Sequence, residues 1–541
     1  MLFANYVLLC SFVVFIVPSK GEEFESIEDL LKSPNPGSLR DILVIGTYGR
    51  ELPGTSNHTL HQGFDCENFL EKFTSVETLG LMHVKLLSIG KDCFEGLDNL
   101  KNVVLFGTSL TNIRMSVFRT SYDMSITYVN LGFNYITNIE FGSVVLPGLK
   151  TLSAVRNRLT TVHFTSQNMP AITHLNLAYN HISSLMIESQ TLTALNLTGN
   201  RLKTLQGLFL PDLQYVDLMN NQLSRVTPDM FASMRSLKQA ILSRNPVQSV
   251  HFMHFNTMEY LELAGTGIVS LYDIKSLSKI DMLDLSFNNF WMLGYARNSD
   301  NPRPFDINMF RCTHCNIHYM LPFFLANAFP NLEKIKLNYN YLTTAFIFMA
   351  ERDFEDLSEV YLQDNKISRI GSGDFSRLTY MEMLDLRSND INTIEEGAFD
   401  ETTKLSILEL ANNMIFQLPA NLFEPINLRE LNLNGNIMPY FPIPGWQENT
   451  EKIFFRESSV NKLKKLQINN NPLQCQCVDL IRKWTAKNNI ELTIDNSLVR
   501  SGLKPACIVN NEGCRADVGL NYVKDNWHLF NDGKLILDTL Y

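Results

Sequence analysis

The sequence has no surplus of positive charge: lysine and arginine number 46 against 56 acidic residues, a formal net charge of −10. With no basic face offered to phosphates, nucleic acid is not an expected partner. Long apolar runs are missing too. Past the amino terminus nothing approaches the ~18 residues that a membrane span requires, and the ending Lys534–Tyr541 is too short and polar for a lipid-anchor signal. Catalytic signatures are absent: there is no H-E-x-x-H, no G-x-S-x-G and no phosphate-cradling glycine loop. The 11 histidines are scattered without a nucleophile beside them, and Gly371-Ser-Gly373 reads as a turn after Ile370. No enzyme activity, cofactor or metal is expected. A hydrophobic content of 45% with 19% charged residues also excludes a disordered or collagen-like chain.

What is present starts with an uncharged, mostly apolar stretch from Leu2 to Val17, then Pro18-Ser-Lys-Gly21. This has the form of a secretion signal cut after Gly21, so residues 1–21 are expected to be removed and the protein to be secreted and extracellular. Downstream, the frame LxxLxLxxNxL dominates. It is clearest at Ile172–Ile182 around Asn180, and it recurs at Leu192, Leu213, Leu357, Met381, Leu405 and Leu428. Counting less regular copies from Val76 to Leu463, there are 17, most of them 20–27 residues apart. Asn holds the ninth position in all but four, where Val84, Thr108, Thr266 and Cys315 stand.

The physics of the frame is direct. Leucines at positions four and six alternate with polar residues, the period-2 mark of a short strand with one buried face. A buried Asn at position nine can satisfy backbone groups where the chain turns away. Between copies lie Phe94, Phe231, Phe329, Phe354 and Phe375, each three residues before a Leu or Met, and these should fill the side opposite the strands. No single repeat buries its own apolar face, so stacking supplies one core. The fold expected is an α/β repeat: a leucine-rich repeat solenoid, a curved horseshoe with a parallel concave sheet and stapled ends.

Across about residues 70–520 the chain resembles extracellular leucine-rich repeat proteins. Asn471-Pro-Leu-Gln-Cys475-Gln-Cys477, with Trp484, Cys507 and Cys514, is similar to the cysteine-rich cap of Toll-type receptor ectodomains and Slit-like proteins. Spacing alone leaves three pairings open; the resemblance implies Cys475–Cys507 and Cys477–Cys514. Without a membrane span or signalling domain, the chain looks more like the secreted leucine-rich immune proteins of insects. The expected division is a lead-in and amino-terminal cap over 22–75, repeats over 76–473, a cysteine-rich cap over 474–520 and a tail over 521–541.

Cys66 and Cys93 flank the first degenerate repeat, and a bridge between them would staple the other end. Cys312 and Cys315 have the spacing of a zinc or redox pair, with His314 and His318 nearby. They occupy inward positions six and nine, which favours two buried thiols or a local bridge. The sequons Asn57-His-Thr and Asn196-Leu-Thr are expected to carry glycans; Asn196, at position five, should face the concave side. Two long inter-repeat segments stand out, Gly294–Pro304 and about 440–460 with Trp446, Phe454 and Phe455.

Outward positions three, five, seven and eight map the concave face. From Met258 to Leu357 it shows Tyr260, Glu262, Asp284, Phe287, Arg311, Lys336, Tyr339 and Tyr361, the interface-prone residue types. Charge switches along the row from Asp217, Glu262 and Asp284 to Arg311 and Lys336, then back to Asp385 and Glu409, an alternation that would set the register of a partner. The expected function is non-catalytic recognition of a protein or glycan macromolecule, which the resemblance points toward innate immunity. The alternative is a structural matrix or adhesion protein. Homo- and heterodimers both stay open.

Overall fold

The computed structural model describes residues 22–24, 39–45, most of 73–120, then 126–251, 258–275, 279–294, 304–443, 462–494 and parts of 507–526. The chain divides into two compact units. The first holds residues 1–266 with 274–276, the second 267–273 with 277–541.

In the first unit the frame residues form a row of short parallel strands taken in chain order. Thr151–Ser153 pairs with His174–Asn176, which pairs with Ala194–Asn196, then Tyr215–Asp217, Gln239–Ile241 and Tyr260–Glu262. The second unit repeats the arrangement from Lys279–Asp284 through Asp306–Arg311, Lys334–Lys336 and Glu359–Tyr361 to Lys465–Gln467 and Glu491–Thr493. Each is a parallel β-solenoid. The inward pairs Leu175 and Leu177, or Leu384 and Leu386, are at most 2% exposed, so the two-residue period reports burial as expected.

Position nine works as its chemistry suggests. The Asn180 amide nitrogen donates to Ala154 O (2.9 Å) and Leu177 O (3.0 Å), and its oxygen accepts from Leu159 N (3.0 Å). One side chain thereby ties its own coil to the preceding one, and Asn365 makes the same contacts to Leu337 O, Leu362 O and Leu342 N. Thr266 replaces this set with a bond to Leu263 O (2.9 Å).

The layer opposite the strands contains less helix than an α/β repeat implies. It consists of turns, 3-10 segments such as Pro228–Phe231, and small parallel sheets such as Thr161–Phe164 with Ser184–Glu188. The five phenylalanines assigned to this side are all buried, and Phe375 stacks on Phe399 at 6.1 Å.

The ends differ from expectation in two respects. The lead-in contributes strands of its own: Glu22–Phe24 pairs with Asp41–Ile45, which pairs with Thr78–Met82. The apolar run Ile42-Leu43-Val44-Ile45 was the signal for it. At the other end, helix Cys475–Lys487 buries Cys477, Val478, Ile481 and Trp484. It is pinned by bridges Cys475–Cys507 and Cys477–Cys514, with Cα separations of 4.9 and 4.8 Å. A further helix, Leu520–Asn526, buries Val523 within the stretch read as a tail.

Candidate ligand-binding faces

A strand in such a row uses its N–H groups at positions six and eight to reach the next coil, which leaves the N–H of position seven pointing at nothing. Position five supplies the acceptor. Asn130 accepts from Gly132 N (2.9 Å), Asn176 from Ala178 N (3.1 Å), Asp217 from Met219 N (2.9 Å), Asp284 from Ser286 N (2.8 Å) and Asp385 from Arg387 N (3.1 Å). Where position five carries no such group, position seven of the previous coil does the work: Ser243 accepts from Ala264 N and Ser286 from Thr313 N. An outward Asx is therefore a structural acceptor first.

This corrects the reading of Asn196. Its side chain is 6% exposed and accepts from Thr198 N at 2.9 Å, so the sequon is folded against the strand and does not stand open on the concave side. Asn57 lies outside the described residues, as do the predicted signal, Trp446, Phe454, Phe455 and most of the Gly294–Pro304 segment.

The eight candidate residues are divided between the two units. Tyr260 and Glu262 belong to the first unit and the rest to the second. Tyr260 packs against a cluster of Ala194, Tyr215 and Ile241 on outward positions, and its hydroxyl donates to Glu262 (2.7 Å), which also accepts from Ser243. In the second unit Arg311 pairs with Asp284 at 3.4 Å, yet its Nε is buried with no acceptor. Lys336 lies 4.7 Å from the centre of the Tyr361 ring; burial, then the Arg311 charge, lowers its pKa. The Tyr361 hydroxyl donates to Glu359 at 2.9 Å, and burial with that carboxylate raises its pKa. Arg387 grips Asp385 through Nε and Nη2 at 2.9 and 2.6 Å. Much of the charge alternation is consumed within the row.

Phe287 and Tyr339 sit elsewhere, because position eight leaves the strand. Its backbone is left-handed in coil after coil: Phe133, Arg156, Tyr179, Asn220 and Arg244 in the first unit and Phe287, His314, Tyr339, Asp364 and Ser388 in the second have φ between 52° and 60°. Such a conformation costs a non-glycine residue on the order of 1–2 kcal/mol. Side chains here lean over neighbouring coils; a Cβ on Gly199 would meet the Tyr179 ring at 2.7 Å.

The result is a ridge of stacked rings and cations beside the strand face. In the first unit Phe133 lies 4.6 Å from Phe106, and the Arg156 guanidinium lies 5.1 Å from Phe133 and 5.0 Å from Tyr179. Arg158 covers Tyr135 at 4.5 Å. In the second unit His314 is stacked between Phe287 (4.8 Å) and Tyr339 (4.4 Å), and His318 between Trp291 (3.8 Å) and Tyr341 (4.9 Å). Phe287 and Trp291 remain 61% and 55% exposed. Periodicity distinguishes inside from outside and says nothing of φ, so the ridge was missed. The interleaved Gly107, Gly199, Asn220, Gly265, Asp364 and Gly435 at position eight were the available signal.

The ridge also corrects the charge argument. Between Ile126 and Pro211 the charged residues are Lys150, Arg156, Arg158, Arg201 and Lys203 against Glu140 and Glu188. The whole-chain balance conceals a basic stretch.

Cys312 and Cys315 are fully buried and joined to each other, while the histidines beside them are occupied by ring stacking. Cys93 is buried and disulfide-bonded; Cys66 lies outside the described residues. Among the described residues no group of His, Cys, Asp and Glu could hold a metal ion, and no helix is long and apolar enough to cross a membrane.

Comparison with known proteins agrees with this geometry. Residues 190–247, 355–415 and 383–438 match the leucine rich repeat family model, and residues 67–145 match that of the BspA type leucine rich repeat region. Toll-like receptor 3 of Homo sapiens is 32% identical over 202 residues, 36% of this chain and 21% of the receptor. That of Bos taurus is 30% identical over 200 residues, again 36% and 21%. The chain thus spans about a fifth of the length of these relatives. A leucine-rich repeat protein of Leptospira interrogans shares the fold at TM-score 0.50 and 17% identity, over 87% of this chain and all of that one. The chain carries leucine-rich repeats and is similar, over about a third of its length, to Toll-like receptors.

Proposed function

We propose that this is a secreted, non-catalytic recognition protein of innate immunity, binding a macromolecular ligand on the strand face of its second unit. Similarity to Toll-like receptors supports ligand binding and an immune setting at a coarse level. The observation that carries the site is Arg311. Its Nε is buried without an acceptor beside half-buried Lys336, and a buried donor left unmade costs about 1–3 kcal/mol. An acceptor brought by a ligand would complete it, with Tyr361, beside Lys336, as the aromatic contact.

The test is co-purification from body fluid with wild-type chain and with R311Q/K336Q. Loss of a specific partner by a folded variant is the expected result. Retention of every partner would move the site off this face, and recovery of the protein only in the insoluble matrix fraction, uninduced by microbial challenge, would replace the immune role with a matrix one.

A further inference from the structure

The first unit's ridge carries two guanidinium groups that no carboxylate among the described residues pairs. Arg156 and Arg158 are both exposed. Among the described residues neither has an ion pair or a side-chain hydrogen bond; their contacts are with the rings of Phe133, Tyr179 and Tyr135. The nearest acid in the preceding coil, Glu140, is already held by Arg114 at 3.0 Å. In the second unit, by contrast, Arg311, Lys334 and Arg387 all have carboxylate partners. Stacking on rings fixes a guanidinium plane while leaving its N–H edge outward, the orientation that grips an oxyanion through two bonds.

The row continues. Backbone bonds from Arg158 N to Ile136 O, His181 N to Leu159 O and Arg201 N to Ile182 O set Arg158, His181 and Arg201 on successive coils. At ~4.8 Å per strand, Arg158 and Arg201 stand roughly 10 Å apart. Lys203, two residues beyond Arg201, is exposed as well. The rings, meanwhile, make contacts within the row. Phe133 lies between Phe106 and Arg156, and Tyr179 lies between Arg156 and the backbone of Gly199. Phe133, Tyr135 and Tyr179 are nonetheless 41%, 45% and 48% exposed, so these rings and the two phenol hydroxyls are presented beside the guanidinium groups. Parallel neighbours also consume the strands' own N–H and C=O groups, so an extended peptide finds no edge. What the ridge offers is N–H donors and phenol hydroxyls at a regular spacing.

We infer that the ridge from Tyr135 to Lys203 binds a linear glycan bearing sulfate or carboxylate groups. Arg156 and Arg158 clamp one oxyanion, and Arg201 with Lys203 meets the next. This surface is separate from the strand-face site proposed above and does not rest on it.

The experiment uses the full chain at physiological salt against four immobilised probes: a sulfated heparin oligosaccharide, polygalacturonate, neutral dextran, and single-stranded or duplex RNA. Binding to one or both anionic glycans but not to dextran is expected, and which of the two binds separates sulfate from carboxylate. R156Q/R158Q should weaken it by about tenfold or more, the scale of lost charge-assisted hydrogen bonds. R201Q/K203Q involves no residue stacked on a ring and should fold normally; it should weaken binding by about threefold to tenfold. R311Q/K336Q should leave it unchanged, which keeps this proposal distinct from the strand-face one. Indifference to both anionic glycans would overturn the inference, as would undiminished affinity in R201Q/K203Q or in folded R156Q/R158Q. Tighter binding of RNA than of either glycan would assign the ridge to nucleic acid instead.

Discussion

Asp217 in the first unit and Asp385 in the second occupy the same fifth position, are equally hidden, and accept the same position-seven N–H. Their electrostatics are opposite. Asp385 is held bidentately by Arg387. Asp217 is buried without such a cation; burial raises its pKa, the Met219 N–H and the Tyr215 hydroxyl pull it back, and the Glu262 charge pushes it further up. The backbone of a coil asks only for an acceptor. What the acceptor's charge costs depends on its lateral neighbours, and the two units answer differently. Neutral amides hold position five at Asn130, Asn176 and Asn196 in the first unit, whereas in the second Asp284, Asp385 and Glu409 stand beside Arg311 and Arg387.

The largest effect should be common to both units and so calibrates the comparison. Asn180→Ala and Asn365→Ala each leave one core N–H, that of Leu159 or Leu342, without its acceptor, while the carbonyls keep a second asparagine donor; each should lower stability by about 2–3 kcal/mol in denaturant unfolding. A marked inequality would show that the asparagine ladder carries different loads in the two units. Next, Asp385→Asn keeps the acceptor but leaves the Arg387 charge without its main partner. With Arg387 partly exposed and screened, a loss of about 1–2 kcal/mol is expected.

Asp217→Asn should go the other way, gaining about 1 kcal/mol at pH 7. Because the folded-state pKa of Asp217 is raised, the native state is penalised once pH climbs above the ordinary carboxylate range. The gain from Asn is therefore full at neutral pH and fades in acid as the carboxyl becomes protonated in both states. A pH-independent gain, or a loss, would break the contrast. The smallest effect concerns position eight. Asp364→Gly should be neutral to mildly stabilising, by up to about 0.5 kcal/mol, since glycine suits φ +57° without strain. Asp364→Ala should cost up to about 1 kcal/mol, more than an ordinary surface change.

The sequence made the solenoid legible because its two determinants are composition at fixed spacing: leucine at positions four and six, asparagine at nine. The C-terminal bridges followed from the resemblance, since spacing alone did not choose among pairings. Other features were not legible for identifiable reasons. Asn196 looked outward because alternation assigns a face, not whether a side chain folds back onto the N–H two residues on. Phe287 and Tyr339 were grouped with Arg311 and Lys336 because a linear frame does not reveal that the chain turns left-handed after position seven. The basic ridge disappeared into a net charge of −10, since a sum over the chain erases local sign.

The left-handed corner at position eight also bears on how such a protein diversifies. The backbone takes that conformation whether the residue is glycine, asparagine, arginine or a full aromatic ring. A new ridge chemistry therefore needs no loop insertion and no shift of the strands, only exchange of one codon per coil. Each rung can be rewritten almost independently of the leucines that hold the coil shut, so the variation that alters ligand preference and the constancy that preserves the fold fall on different letters of the same short repeat.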